Sequence, residues 1–260
     1  MPGEIALTRD GAVAVLSLNH PSARNAFDQP MAESLAAKVE AVAADSTARA
    51  LLVRGVGDHF CAGGDLAAIS GASDPAAYTL KLARTANRAI EAFRTMPKPV
   101  LAELKGAVAG GGVGVALAAD VRIAADNTKI TLAFMKVGLS PDMGSTWTLP
   151  RLVGRGRAFE FAAAREPLPV MEAWRLGLVN RVVKAADLEK DASAWAHELA
   201  QLPPRAVAEV KALFNSADGN RLNEHLDRDS AAIARSAATA DFREGVKAFF
   251  EKRPPKFEGR

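Results

Sequence analysis

Residues 106–120 read GAVAGGGVGVALAAD. Five of the chain's 20 glycines fall in this run, and its only charged side chain is the terminal Asp120. Glycine at that density weakens any helix or strand, so the close approaches or unusual φ values it permits must matter here. The apolar segment 99–104 before it reads as a short strand, and the small residues after it read as a helix. What this strand-to-helix turn does decides the fold.

Three ligand-binding readings compete. A dinucleotide fingerprint needs G-x-G-x-x-G after a strand, with an acidic residue about 20 positions on. Gly110, Gly112 and Gly114 give G-x-G-x-G, the sixth position is Val115, and no such acidic residue follows. A P-loop needs Gly-Lys-Ser/Thr at its end, which is absent. The third reading is a turn whose bare N–H groups, with the positive end of a helix starting near Gly112, face a ligand oxygen. Tight packing through Ala116, Ala118 and Ala119 explains the same run without any ligand. A second loop, GDHFCAGGDL at 57–66, also follows a strand and opens a helix. Alone, Gly63-Gly64-Asp65 reads as a turn with Asp65 capping a helix. Two such turns together can offer two N–H groups to one oxygen, the construction of an oxyanion hole.

The rest of the chain sets the frame. Its 260 residues suffice for one large domain or a core with an appendage. Hydrophobic residues at 49% and charged residues at 24% are ordinary for a soluble globular protein. The net charge of +3 is scattered, without the Lys/Arg stripe that nucleic acid requires, and it suits a small anionic ligand. Cys61 is the one cysteine, so intrachain disulfides and cysteine-based metal sites are excluded and a reducing compartment is expected. The start, MPGEIALTRD, lacks a basic region followed by an apolar run, so no secretory leader is expected and the location reads as cytoplasmic. The run 106–119 is too glycine-rich and short to span a bilayer. The four histidines, His20, His59, His197 and His225, show no metal-ligand spacing.

A hairpin is expected around Asp10-Gly11. Pro30 opens a helix carrying Leu35, Val39 and Val42 on one face, and 75–96 is a helix with Tyr78, Leu82, Ala86, Ala89 and Phe93 at helical spacing. Strands are expected at 50–54, 99–104, 121–125, 129–132 and 180–183. Helices are expected at 151–164, 170–176, 187–201, 204–215, 221–236 and 239–252. Strands alternating with helices, then a helical last third, argue an α/β fold with strands buried on both faces.

At this point the residues resemble the crotonase (enoyl-CoA hydratase/isomerase) superfamily over nearly the full length. The resemblance rests on NHPSARNAFD (19–28), GDHFCAGGDL (57–66), KPVLAELKGAVAGGGVGVALAAD (98–120), VGLSPDMGSTWTLPRLVG (137–154) and EGVKAFFEKRPPKF (244–257). It implies a ClpP-like spiral of repeated ββα units over 1–200 and a helical trimerisation region over 201–260. It implies an acyl-CoA thioester substrate, no separate cofactor or metal, and a homotrimer or dimer of trimers without nucleic-acid or membrane partners. Carried over by position, the oxyanion donors are the N–H groups of Gly64 and Gly111. Ala23, Arg24 and Ala26 match the segment along the CoA nucleotide. Ala62, Asp65 and Leu66 match the segment that grips adenine and pantetheine. Phe249 and Lys252 match C-terminal positions that approach the CoA end, sometimes from a neighbouring subunit.

The oxyanion hole names the family, and the proton carriers name the reaction. Hydratases resembling this chain carry two glutamates. Their positions here are Gly114, which leaves that place empty, and Phe134, which cannot ionise. One carboxylate remains in a suitable loop, Asp142 in SPDMGS at 140–145. An Asp there resembles the ring-1,2-epoxyphenylacetyl-CoA isomerase branch and some enoyl-CoA isomerases, and Phe134 is expected to dry the pocket and raise the basicity of Asp142. The alternative is Asp142 as the N-cap of a helix over 144–152. The expected activity is an isomerase in which Asp142 moves a proton and a double bond, or assists epoxide ring expansion. Enoyl-CoA hydratase, hydrolase or dehalogenase chemistry with Asp142 as nucleophile, and a non-catalytic acyl-CoA binder, stand as alternatives.

Overall fold

In the computed structural model, which describes residues 3–164 and 166–260, the hairpin comes first. Strands β1 (Glu4–Asp10) and β2 (Val13–Asn19) pair antiparallel with Asp10 opposite Val13. The two-residue turn is therefore Gly11-Ala12, one position later than expected, because the left-handed conformation falls on Gly11, with φ 57°. Helix α1 (Gln29–Ala44) follows, with Asp28 accepting the Met31 N–H as its cap and Pro30 in its first turn. Its buried face carries Leu35, Val39 and Val42.

The same plan then repeats: a long strand, a shorter second segment, a helix. β3 (Ala50–Gly55) leads to a bridge at Cys61 and then to α2 (Leu66–Ser70), followed by the long α3 (Pro75–Thr95). β4 (Val100–Leu104) leads to β5 (Ala107–Ala109) and α4 (Gly111–Ala118). β6 (Val121–Ala125) leads to β7 (Lys129–Thr131), a 3-10 turn and α5 (Ser145–Val153). The long strands join in one sheet ordered β1-β2-β3-β4-β6, parallel from β2 onward, and β9 (Arg181–Val183) completes its edge. The second segments stack on one another: Phe27 pairs with Gly64, Cys61 with Val108 and β5 with β7, and a two-residue β8 (Leu168–Pro169) joins them. This is a spiral of ββα units. Sequence reading did not find β5 and β8, since two or three residues carry no periodicity.

The central strands of the large sheet are buried on both faces, while the edge strand β1 is mostly exposed. Ala14, Leu16, Leu51, Val53, Val100 and Ala102 point into one core with α1 and α3. Val13, Val15, Ala50, Leu52, Leu101 and Ile123 point into a second, closed by Leu188, Ala192, Trp195 and Ala196 of α8 (Leu188–Ala200). Each large apolar side chain so buried contributes roughly 1.5–3 kcal/mol.

The single helix expected at 151–164 is two. α5 ends at Gly154, whose φ of 78° turns the chain into α6 (Arg155–Ala163). The short α7 (Val170–Arg175) precedes β9. Beyond α8 come α9 (Pro204–Ala217), α10 (Leu222–Ala237) and α11 (Ala240–Glu251). α9 is fixed to the core by Lys211, whose buried ammonium donates to Asp120, Phe93 O and Lys98 O. Among the described residues no helix is long and apolar enough to cross a membrane.

Candidate active site

The two glycine loops meet. Ala109 N–H donates to Cys61 O, and Cys61 N–H donates to Ala107 O, so the loop after β3 runs as an extra strand beside β5. Gly63 has φ 96°, and a β-carbon there would stand 2.8 Å from the Gly111 nitrogen. Its bareness lets the second loop approach. Gly63 O accepts from Phe27 N–H and Asp65 N–H donates to Phe27 O, which turns the Gly64 N–H away from that ladder. Gly111 opens α4 and its N–H belongs to the first turn, which has no partner within the helix. Among the described residues neither the Gly64 nor the Gly111 N–H finds a protein acceptor.

Both glycines line one apolar cavity of about 250 Å³, walled by Leu82, Ala83 and Ala86 of α3 and by residues 132–139. Ala62, Leu66, Phe134 and Asp142 line it too. Of the lining residues only Asp142 and Lys136 carry a charged side-chain type. Asp142 Oδ1 is buried without a hydrogen-bond partner, and it stands 3.8 Å from the point where a β-carbon on Gly111 would be. Burial pushes its carboxyl up to about 6. Its loop is held from behind. Ser145 donates both its N–H (3.1 Å) and its hydroxyl (2.7 Å) to Asp142 O. Asp142 does not cap the helix. The N-cap of α5 is Gly144, with no side-chain bond, so the capping alternative is not the arrangement found.

Asp65 does cap: its carboxylate accepts from Ala67 and Ala68 N–H at the start of α2 and is not among the cavity-lining groups. Ala23, Arg24 and Ala26 do not line the cavity, although the next residue, Phe27, does. Arg24 O accepts the Ala62 N–H at 2.9 Å, while the Arg24 side chain is exposed. Phe249 and Lys252 lie at the end of α11, away from the cavity within one chain. Phe249 lines a separate apolar depression with Phe242, Phe250 and Phe257. His59 is structural, its Nδ1 accepting the Ala107 N–H. Trp147 lies between Arg94 and Arg151, 4.5 and 3.9 Å from its ring centre.

Two residues escaped sequence reading. Asn25, fully buried at φ 58°, donates to Val56 O, His59 O and Phe60 O and accepts from His20 N–H, pinning the loop that carries Gly63 and Gly64. An Asn beside an Arg in a polar stretch gives no such signal, although Asn tolerates this left-handed conformation better than most residues. The other is Met143. A β-carbon on Gly114 would meet Met143 O at 2.5 Å and Met143 Cβ at 2.6 Å, so the place expected to be empty is filled. Gly112 is likewise packed on Cys61, with a contact at 2.5 Å to Cys61 O. Tight packing explains these two glycines, while Gly111 lines the cavity with an N–H that finds no protein acceptor among the described residues.

Comparison with known proteins agrees with this architecture. The family model described as enoyl-CoA hydratase/isomerase matches residues 8–260. A probable enoyl-CoA hydratase of Rhodobacter capsulatus is 40% identical, covering 95% of both chains. The 1,2-epoxyphenylacetyl-CoA isomerase of Escherichia coli is 36% identical over 95% of both chains. The crystal structure of an enoyl-CoA hydratase from Bacillus anthracis superposes with a TM-score of 0.93 at 30% identity, covering 99% of this chain and 100% of that one. With its ββα spiral, paired glycine turns and helical C-terminal region, the chain belongs to the enoyl-CoA hydratase/isomerase family and has the crotonase fold.

Proposed function

We propose that this protein is an acyl-CoA isomerase that moves a double bond by proton transfer through Asp142. The observation that carries the reading is the unpartnered Asp142 carboxylate oxygen beside Gly111 in a largely apolar cavity. The thioester carbonyl oxygen accepts from the Gly64 and Gly111 N–H groups. Asp142 takes a proton from C2 of a 3-enoyl thioester. The C–H electron pair becomes the C1–C2 double bond of a dienolate, whose negative oxygen those two donors stabilise. The acid then delivers its proton to C4, the π electrons shift, and a 2-enoyl thioester leaves. No water is consumed. A raised pKa suits this role, since one group must be base and then acid near neutrality.

The hydratase alternative is disfavoured by the same geometry. Neither Gly114 nor Phe134 ionises, and Gly114 has no room for a larger side chain. The E. coli relative's name favours a ring epoxide as one substrate of such a site. The test compares 3-enoyl-CoA isomerisation with 2-enoyl-CoA hydration in wild type and Asp142→Asn. Isomerisation that falls by about 10²-fold or more in the variant supports the reading; full turnover without the carboxylate overturns it.

The assembly reading is a homotrimer built through the C-terminal helices, with the substrate's CoA end reached by a neighbour's α11. It is supported by Phe249 and Phe250, each 78% exposed, on an apolar face that a single chain leaves uncovered.

A further inference from the structure

Met143 lines this cavity beside Asp142 and has no part in the reaction scheme. It is 4% exposed and holds φ 48°, a conformation that costs a non-glycine residue strain. Its backbone oxygen and Cβ lie against Gly114, and its Sδ lies 2.6 Å from where a β-carbon on Gly111 would stand. Gly111 and Gly114 are three apart, so they share one face of α4. Met143 therefore lies along that face for nearly one turn, from the β-carbon position of Gly111 to that of Gly114, and its neighbour Asp142 stands at the same wall.

We infer that Met143 sets the reaction outcome by excluding water: its side chain fills the volume beside Asp142 in which a nucleophilic water would stand. Three features combine. The thioether is apolar and offers no strong hydrogen bond to a water. The bare Gly111 and Gly114 faces let it seat fully. The left-handed backbone at Met143 aims it there, and the two Ser145 bonds to Asp142 O hold that backbone. The dienolate can then only regain a proton. With the thioether gone, Asp142 can take a proton from a water whose oxygen bonds to C3 of a 2-enoyl thioester. The π pair moves onto the thioester oxygen, and that proton is delivered to C2, so one water is added across the double bond. This inference rests on the proton-transfer reading of Asp142.

The experiment uses the full-length protein with 3-hexenoyl-CoA and 2-hexenoyl-CoA, following both 2-enoyl and 3-hydroxyacyl products. Met143→Gly suits the left-handed backbone and removes the side chain, and Met143→Leu refills the volume. Expected are a hydration-to-isomerisation ratio raised about tenfold or more in Met143→Gly, a wild-type ratio in Met143→Leu, and loss of the new hydration when Asp142→Asn is added. An unchanged ratio in Met143→Gly, with isomerisation still dependent on Asp142, overturns the role of Met143 and leaves the isomerase reading standing. So does wild-type protein that already hydrates as fast as it isomerises. Should Met143→Gly not fold, Met143→Ala carries the same comparison. Wild-type isomerisation that survives Asp142→Asn instead overturns the reading beneath, and this inference with it.

Discussion

The Gly111 nitrogen lies 2.8 Å from the point where a β-carbon on Gly63 would stand. The placement of the two proposed oxyanion donors, Gly64 and Gly111, thus depends on a residue that is neither of them. Gly63→Ala forces a side chain into φ 96° and pushes the Gly111 loop outward. We expect kcat to fall about 10²- to 10³-fold, the scale for losing one such donor, with far-UV circular dichroism retained. Gly64→Ala meets the flexible Ile69 Cδ1 at 3.3 Å and Leu82 Cδ2 at 3.8 Å, and is expected to be milder. Equal kcat losses in the two variants would contradict this account.

The Asp142 carboxyl, pushed up to about 6 by burial, gives two pH signatures. As the base it must be ionised, so kcat/KM for isomerisation should rise with pH and level off above an apparent pKa near 6. A profile flat from pH 5 to 8 counts against it. For stability the sign is opposite to that of a salt-bridged carboxylate. The folded state holds this proton more tightly than the unfolded chain does, so stability falls as pH rises from the ordinary carboxyl value of 3.8 through about 6. Asp142→Asn should therefore melt above wild type at pH 8, and the gap should close toward pH 4. A gap independent of pH, measured by calorimetry, rules out the linkage.

Asn25 makes four hydrogen bonds from a fully buried position. Asn25→Ala leaves three carbonyls and one N–H without their partner. A loss of about 2–4 kcal/mol in urea unfolding is expected, with KM rising because the loop through Ala62 and Gly64 loosens. A loss below about 0.5 kcal/mol, the scale of an ordinary surface substitution, would show that the hub is dispensable.

The exposed aromatic pair on α11 tests assembly. The double change Phe249→Ser, Phe250→Ser should lower the mass seen by light scattering from three chains toward one. A wild type that is already monomeric, or a variant that keeps its mass, places the interface elsewhere.

The legible parts of the chain were those with local patterns. α1 and α3 carry caps, an early proline and a periodic apolar face. β3 and β4 are apolar runs that alternate between two cores. The glycine turns and the Asp142 loop were readable as motifs. What stayed hidden depends on contacts between distant segments. β5 exists because Cys61 and Thr131 flank it, Gly154 breaks a helix that composition would continue, and Met143 reaches Gly114 across nearly thirty positions of sequence. Gly114 shows the limit well: the missing side chain was visible, and the residue filling the gap was not.

Cys61 turns the site into its own reporter. The thiol donates to Asn25 O and accepts from Gly63 N–H, joining the Asn25 segment to the loop that carries the proposed donor Gly64, and burial pushes its pKa up to about 12. As the chain's one cysteine it reacts with an alkylating reagent only when those segments separate. The labelling rate of unmodified protein therefore measures how often the hole comes apart, a local opening free energy read without any engineered probe.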